Sequence, residues 1–205
     1  MSETPRTATA DEVPVLDLAP LIGGADLTGL ARQLREACTA TGFFYVRQHG
    51  IDPGLSAAAF AATRRYFALP LAERLPHRID QYMRGFMPQG INQHPGFVPD
   101  RKESFEIGMD LPPDHPDVVA GLPLHGPNRW PAELPWLRAA AEPYFAATHA
   151  LGRALLRLFA VSLDMPEGYF LQWCRIRWCR CGCSITSHSR RRRTDSASPR
   201  TPTTA

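Results

Sequence analysis

The amino-acid composition changes abruptly near Cys174, and this change limits how much of the 205-residue chain can build one ordinary folded domain. From Arg175 to the end there are eight arginines and one acidic residue, Asp195. The cysteines are equally uneven, because Cys38 stands alone while the other four lie between positions 174 and 183. The formal net charge of +3 therefore combines an acidic body with a strongly basic tail.

The body has the composition of a folded protein. The chain is 44% hydrophobic and 9% aromatic, which argues against disorder throughout. No apolar run reaches the roughly 18 residues of a membrane span, and the polar start lacks the apolar segment of a secretory signal. We therefore predict a cytoplasmic protein that does not associate with membranes. Its expected regions are a disordered N-terminus (1–12), a folded domain (13–173) and a disordered Arg- and Cys-rich tail (174–205).

Residue periodicity predicts strands and helices in alternation. Alternating apolar or aromatic, β-branched runs predict three strands, over 13–18, 43–46 and 103–109. Helical spacing predicts three longer helices, over 26–41, 55–69 and 136–163. A stretch rich in Gly and Pro, 76–99, is predicted to be a long loop. Three strands form a poor sheet unless more strands follow, so we predict an α/β lead-in to a larger fold, with apolar faces left uncovered.

Two of the predicted helices have candidate core residues. Asp26 is expected to cap the first, with Leu30 and Leu34 on its apolar face. In the second, Phe60 and Tyr66 are expected to be available for packing.

Several segments, in this order, carry a resemblance to one enzyme family. They are Gly42–Val46 with His49-Gly50-Ile51, Tyr66–Pro70, Arg84-Gly85-Phe86, Asp100–Gly108, Asn128–Pro131 and Leu151–Leu156. Together they resemble the N-terminal half of the isopenicillin N synthase-like, 2-oxoglutarate-dependent non-haem iron(II) oxygenases. The match extends from about Val13 to Trp173.

This resemblance implies a fold and a chemistry. The family fold is a double-stranded β-helix, or jelly roll, so most of the barrel is expected to be missing from this chain. Its Fe(II) is held by a His-x-Asp pair and a distant His, and an Arg-x-Ser pair binds the carboxylate of 2-oxoglutarate. These groups all follow the matched region in the family. An intact relative would oxidise a small organic molecule, although isopenicillin N synthase itself uses no 2-oxoglutarate.

Few residues of this chain are candidates for the site. The one His-x-Asp, His115-Pro116-Asp117, lies in a Pro-rich stretch and is a poor ligand pair, and His49 reads as a structural residue at a strand end. We therefore assign no catalytic and no metal-binding residue. Arg84 is the candidate for substrate binding, since a cation in that loop could hold an acidic group. The alternative is that Arg84 is an exposed loop residue.

The tail reads as coding sequence in a shifted frame. The bases can be regrouped so that each new codon takes the last base of one written codon and the first two bases of the next. In this shifted frame, Arg175–Ile185 can encode Asp-Pro-Leu-Val-Pro-Val-Arg-Leu-Leu-His, followed by Tyr. Arg200–Ala205 can then encode His-Thr-Asp-Tyr-Gly. The first resembles the family's next strand and the second its iron motif. Because one shift restores both in the expected order, we hypothesise that a base was lost near the Arg175 codon and that this chain is inactive as written.

A different hypothesis treats the tail as functional. Its four cysteines could bind a metal such as zinc, and the run Arg190–Arg193 could contact the phosphates of a nucleic acid. However, zinc sites prefer Cys pairs two to four residues apart, and a short run of arginines is more often solvated. We therefore predict no nucleic-acid partner, and keep a non-enzymatic metal- or nucleic-acid-binding protein as the alternative.

Overall fold

A computed structural model describes residues 13–91 and 102–172, together with the backbone of 180–186. The strands are β1 (Val15–Asp17), β2 (Tyr45–Arg47), β3 (Gly85–Met87), β4 (Lys102–Gly108) and β5 (Arg180–Thr186). The helices are α1 (Ala19–Gly23), α2 (Thr28–Ala40), α3 (Pro53–Phe67), α4 (Leu71–Arg74), α5 (Pro116–Val119) and α6 (Pro135–Ser162), and a short 3-10 turn covers Leu75–His77. The predicted regions 1–12 and most of 174–205 lie outside the described residues.

The strands form two small sheets. In the first, β1 and β2 are parallel, with Val15 opposite Tyr45. In the second, β4 lies between β3 and β5 and is antiparallel to both. We expected no ordered element in the tail, yet the β5 backbone pairs with all seven residues of β4. Neither sheet closes on itself among the described residues, which agrees with a jelly-roll barrel that is largely missing.

The long helix α6 joins two hydrophobic clusters. The first cluster contains Leu16, Leu18, Leu21, Leu30, Ala31, Leu34 and Leu158. The second contains Ala62, Tyr66, Phe86, Phe105, Ile107, Leu137 and Ala141. A helix of 28 residues is about 42 Å long at 1.5 Å per residue, so α6 reaches both clusters. No helix in the described part of the chain, α6 included, is long and apolar enough to cross a membrane.

The buried faces of the helices agree in part with those predicted from the sequence. Leu30 and Leu34 of α2 are buried as predicted. The expectation that Asp26 caps α2 was wrong, because the N-cap is Leu27 and no side chain caps the helix. Asp26 lies one residue earlier and accepts hydrogen bonds from the backbone N–H and the hydroxyl of Thr28, at 3.0 and 2.7 Å. The expectation for Phe60 was wrong, because the face of α3 that is buried carries Ala59, Ala62, Thr63 and Tyr66, and leaves Phe60 exposed.

Candidate functional site

Arg84 lies at the entrance to β3 and is buried, with only 3% of its surface exposed. Its guanidinium donates hydrogen bonds to the carbonyl oxygens of Tyr82 and Leu124, at 2.9 and 3.0 Å. The alternative of an exposed loop arginine is therefore wrong. Substrate binding by Arg84 stays a prediction, but the guanidinium is already held by the protein backbone.

A tight turn delivers Arg84 to this position. The Asp80 carboxylate accepts hydrogen bonds from the backbone N–H groups of Tyr82 and Arg84, at 2.9 and 3.1 Å. Gly85 has φ +110°, and a β-carbon there would collide with the backbone carbonyl of His77. Only glycine adopts that conformation readily, so this turn requires glycine at position 85.

The guanidinium packs against the end of β4. A β-carbon at Gly108 would collide with the Arg84 side chain, so glycine is required for this close approach. The Asn128 side chain accepts from the Gly108 N–H and donates to the Gly108 carbonyl, both at 2.8 Å. Asn128 thereby fixes the backbone against which Arg84 lies.

Strand β4 has two chemically different buried faces. Phe105 and Ile107 point into the second hydrophobic cluster. Because side chains alternate along a strand, Ser104 and Glu106 share the other face with Gly108. Both are buried, and the Ser104 hydroxyl has no hydrogen-bond partner among the described residues. We call Ser104, Glu106 and the adjacent Arg84 the polar face of β4.

The sequence pattern did not reveal this polar face as buried. Its signal was the polar alternation Lys102, Ser104, Glu106 in the predicted strand, which ordinarily indicates a solvent-facing side. The burial of that side depends on residues distant in sequence, and alternation alone cannot reveal it.

His49 and His115 each accept a backbone hydrogen bond and have structural roles. His49 Nδ1 accepts from the Ile51 N–H at 3.1 Å, as expected for a residue at a strand end. His115 Nδ1 accepts from the Asp117 N–H at 3.2 Å and caps α5. Within the described ranges, no three His, Cys, Asp or Glu side chains come together as a metal site. These residues therefore do not fit an iron held by two histidines and a carboxylate.

His77 connects a buried tyrosine to a surface carboxylate. Burial raises the pKa of the Tyr66 hydroxyl well above its ordinary value, so this group stays protonated and can donate. Tyr66 Oη lies 3.4 Å from His77 Nδ1, and His77 Nε2 lies 2.6 Å from Glu133 Oε1. These distances allow the Tyr66 hydroxyl to donate to Nδ1 and Nε2–H to donate to the Glu133 carboxylate.

Replacing Glu133 with glutamine should flatten the acid dependence of stability. Its own backbone N–H, and then His77, hold the pKa of Glu133 below its usual value. A lowered carboxylate pKa stabilises the fold above the unfolded-state pKa, about 4.3, and this contribution is lost as pH falls through the folded-state pKa. Urea midpoints at pH 7 and pH 3 should differ less in Glu133→Gln than in the unmodified chain. Glu73→Gln, on the exposed side of α4, is the matched control and should keep the original difference.

A family model matches more than half of this chain. A model of the N-terminal region of non-haem dioxygenases, described as "non-haem dioxygenase in morphine synthesis N-terminal", matches residues 13–133. This chain belongs to that family. The turn that holds Arg84 and the polar face of β4, between positions 80 and 108, fall within the matched region.

Two of the relatives that this chain resembles are named as 2-oxoglutarate-Fe(II) type oxidoreductases. The 2-oxoglutarate-Fe(II) type oxidoreductase hxnY of Emericella nidulans is 33% identical over 165 residues, which cover 77% of this chain and 47% of the relative. Azadirone synthase LFS of Melia azedarach is 33% identical over 171 residues, covering 81% and 51%. The chain therefore spans about half the length of the curated relatives it matches.

Solved structures show the same fold. Neurospora crassa T7H in complex with alpha-KG has a TM-score of 0.62 at 25% identity, covering 77% of this chain and 49% of T7H. A 2OG-Fe(II) oxygenase family protein of Caulobacter crescentus has a TM-score of 0.66 at 24% identity, covering 78% and 51%. The described residues thus correspond to the N-terminal portion of the oxygenase fold.

Proposed function

We propose that this chain is the N-terminal part of an Fe(II)- and 2-oxoglutarate-dependent oxygenase of small organic molecules, whose iron-binding half is encoded out of frame from near Arg175. The chain as written would then lack turnover. The observation that carries the proposal is the family match over residues 13–133, together with the fact that this chain covers only about half of the relatives it resembles.

The position of β5 supports the shifted frame. Its backbone, Arg180–Thr186, runs along the whole of β4. In the shifted frame this stretch can encode a run ending Val-Arg-Leu-Leu-His-Tyr, which has the apolar content of a buried strand. Read as written, the same stretch is Arg-Cys-Gly-Cys-Ser-Ile-Thr, in which glycine weakens a strand interior. β5 therefore lies at a stretch for which the shifted frame gives a sequence more typical of a buried strand than the sequence as written.

The polar face of β4 is our candidate for one wall of the substrate pocket. Ligand pockets carry a few placed polar groups on otherwise apolar walls, and Ser104, Glu106 and Arg84 are buried polar groups on one side of a sheet. Cytoplasmic location, and the expectation that the protein binds no nucleic acid, stay predictions.

Iron binding tests the proposal directly. We expect the frame-restored protein, mixed with Fe(II) and 2-oxoglutarate without oxygen, to bind about one iron per chain. The chain as written should bind none under the same conditions. The matched control replaces the histidine of the restored His-Thr-Asp motif with alanine and should lose the iron. A frame-restored protein that binds no iron would contradict the proposal, and about one zinc bound per chain as written would favour the metal-binding alternative.

A further inference from the structure

The register of β5 against β4 assigns alternate positions of β5 to opposite sides of the second sheet. Positions 181 and 183 are paired with Ile107 and Phe105, and position 182, between them, is paired with Glu106. Residues paired directly across antiparallel strands belong to the same side of the sheet. Positions 181 and 183 therefore belong to the side of the second hydrophobic cluster, whereas position 182 belongs to the polar face of β4.

The shifted frame supplies apolar residues at both positions on the hydrophobic side, whatever the third bases are. Each restored residue takes the position of the written residue whose first two bases it uses, because the lost base lies upstream of β5. Cys181 and Cys183 both supply the bases TG, and every codon that ends in TG encodes Leu, Val or Met. The genetic code therefore makes both residues apolar, as a strand with one hydrophobic side requires.

Position 182 has only two possible identities in the shifted frame. Its codon joins the last base of Cys181, which is T or C, to the GG that begins every glycine codon, so it encodes Trp or Arg. Glu106, on the opposing strand, is only 6% exposed. An arginine at position 182 would place a guanidinium beside a buried carboxylate, and such pairs can form two parallel hydrogen bonds. A tryptophan would bring no charge to Glu106.

We propose that Glu106 and an arginine at position 182 of the frame-restored β5 form a buried cross-strand ion pair on the polar face of β4. The pair would hold the Glu106 carboxylate in place within the proposed wall of the substrate pocket. This inference rests on the proposed function, because the shifted frame supplies the arginine. The chain as written has Gly182 at this position, which carries no side chain.

A charge-exchange cycle in the frame-restored protein tests the ion pair. Glu106→Arg places two cations opposite each other, replacing the restored arginine with glutamate places two anions there, and the double variant has one charge of each sign. We expect each single variant to lower the melting temperature by about 5 °C or more, because it breaks a buried ion pair. The double variant should recover at least half of that loss, which a purely steric effect would not do. Glu73→Arg, on the exposed side of α4, is the matched control and should change the melting temperature by about 2 °C or less.

The chain as written allows a second test that needs no restored frame. Gly182→Arg should melt about 3 °C or more above Gly182→Met, since both variants remove the glycine but only arginine adds a charge opposite Glu106. This difference should disappear when Glu106→Gln is present in both. If the charge-exchange variants do not fold, the comparison of the two Gly182 variants decides.

Each other outcome overturns the inference. A double charge-exchange variant no more stable than the less stable single variant would show that the two side chains do not pair, and so would equal melting of Gly182→Arg and Gly182→Met. A tryptophan codon at position 182 would also refute the pair. Iron binding, measured on the same frame-restored sample, separates this inference from the proposed function. Iron bound without charge coupling refutes the ion pair alone. If no iron is bound, the proposed function fails, and the Gly182 variants show whether the pairing of position 182 with Glu106 fails with it.

Discussion

Replacing Tyr66 with alanine should lower the free energy of unfolding by about 3–5 kcal/mol. Tyr66 is fully buried in the second hydrophobic cluster, where its ring makes edge-on contacts with Phe67, Phe86 and Phe105 at centroid distances of 5.3, 6.2 and 5.0 Å. Truncation would remove these contacts and leave a cavity between α3 and β4. Urea unfolding followed by tryptophan fluorescence measures the effect, because Trp130 stacks on Phe105 at 6.1 Å and reports on this cluster.

Tyr66→Phe is the control for this prediction. It keeps the ring and removes only the long hydrogen bond to His77, so the expected loss is about 1 kcal/mol or less. If Tyr66→Ala unfolded at the same urea concentration as Tyr66→Phe, the ring would not be part of the core as described.

Replacing Glu103 with glutamine should lower the free energy of unfolding by about 3 kcal/mol, the lower end of the range for a buried ion pair that loses one partner. Arg74 Nη1 lies 2.5 Å from Glu103 Oε2, and both side chains are largely buried. The Arg74 guanidinium also lies over the Phe86 ring, 4.9 Å from its centroid, and donates to the Leu69 carbonyl at 3.1 Å. Without Glu103 this cation would remain buried without its anion.

The double variant Arg74→Met with Glu103→Leu tests whether the loss of stability comes from the unpaired buried cation or from other contacts of Glu103. Replacing both charges with apolar side chains removes the unpaired cation, so most of the lost stability should return. The free energies of unfolding of Arg74→Met, Glu103→Leu and the double variant, measured with urea, give the coupling between the two side chains. A double variant at least as unstable as the sum of the single variants would show that the ion pair is not the source of the effect.

Local sequence patterns predicted the helices well, because the spacing of apolar residues that identifies a helix repeats within one or two helical turns. The spacing of Leu30 and Leu34 was enough to identify the buried face of α2. In α3, Phe60 and Tyr66 are both aromatic, and only the position of the neighbouring sheet decides that Tyr66 is buried and Phe60 exposed. Sequence alone could not supply that neighbour.

The site was less predictable for the same reason. β3 has three residues inside a segment predicted to be a loop, and it is a strand because Phe86 pairs with Phe105 of β4. The burial of Arg84 depends on the Leu124 carbonyl, forty residues further along the chain. The Arg-Gly-Phe motif identified the right position, whereas the contacts that hold Arg84 come from long-range pairing.

Sequencing the gene across the codons for Trp173–Ala205, and beyond the stop codon, tests the central claim most directly. We predict one additional base near the Arg175 codon, after which the frame reads through the strand ending His-Tyr, the His-Thr-Asp motif, a second histidine and an Arg-x-Ser pair. A DNA sequence that agrees with the chain as written, and that cannot encode His-Thr-Asp in the shifted frame at Arg200–Ala205, would contradict the claim.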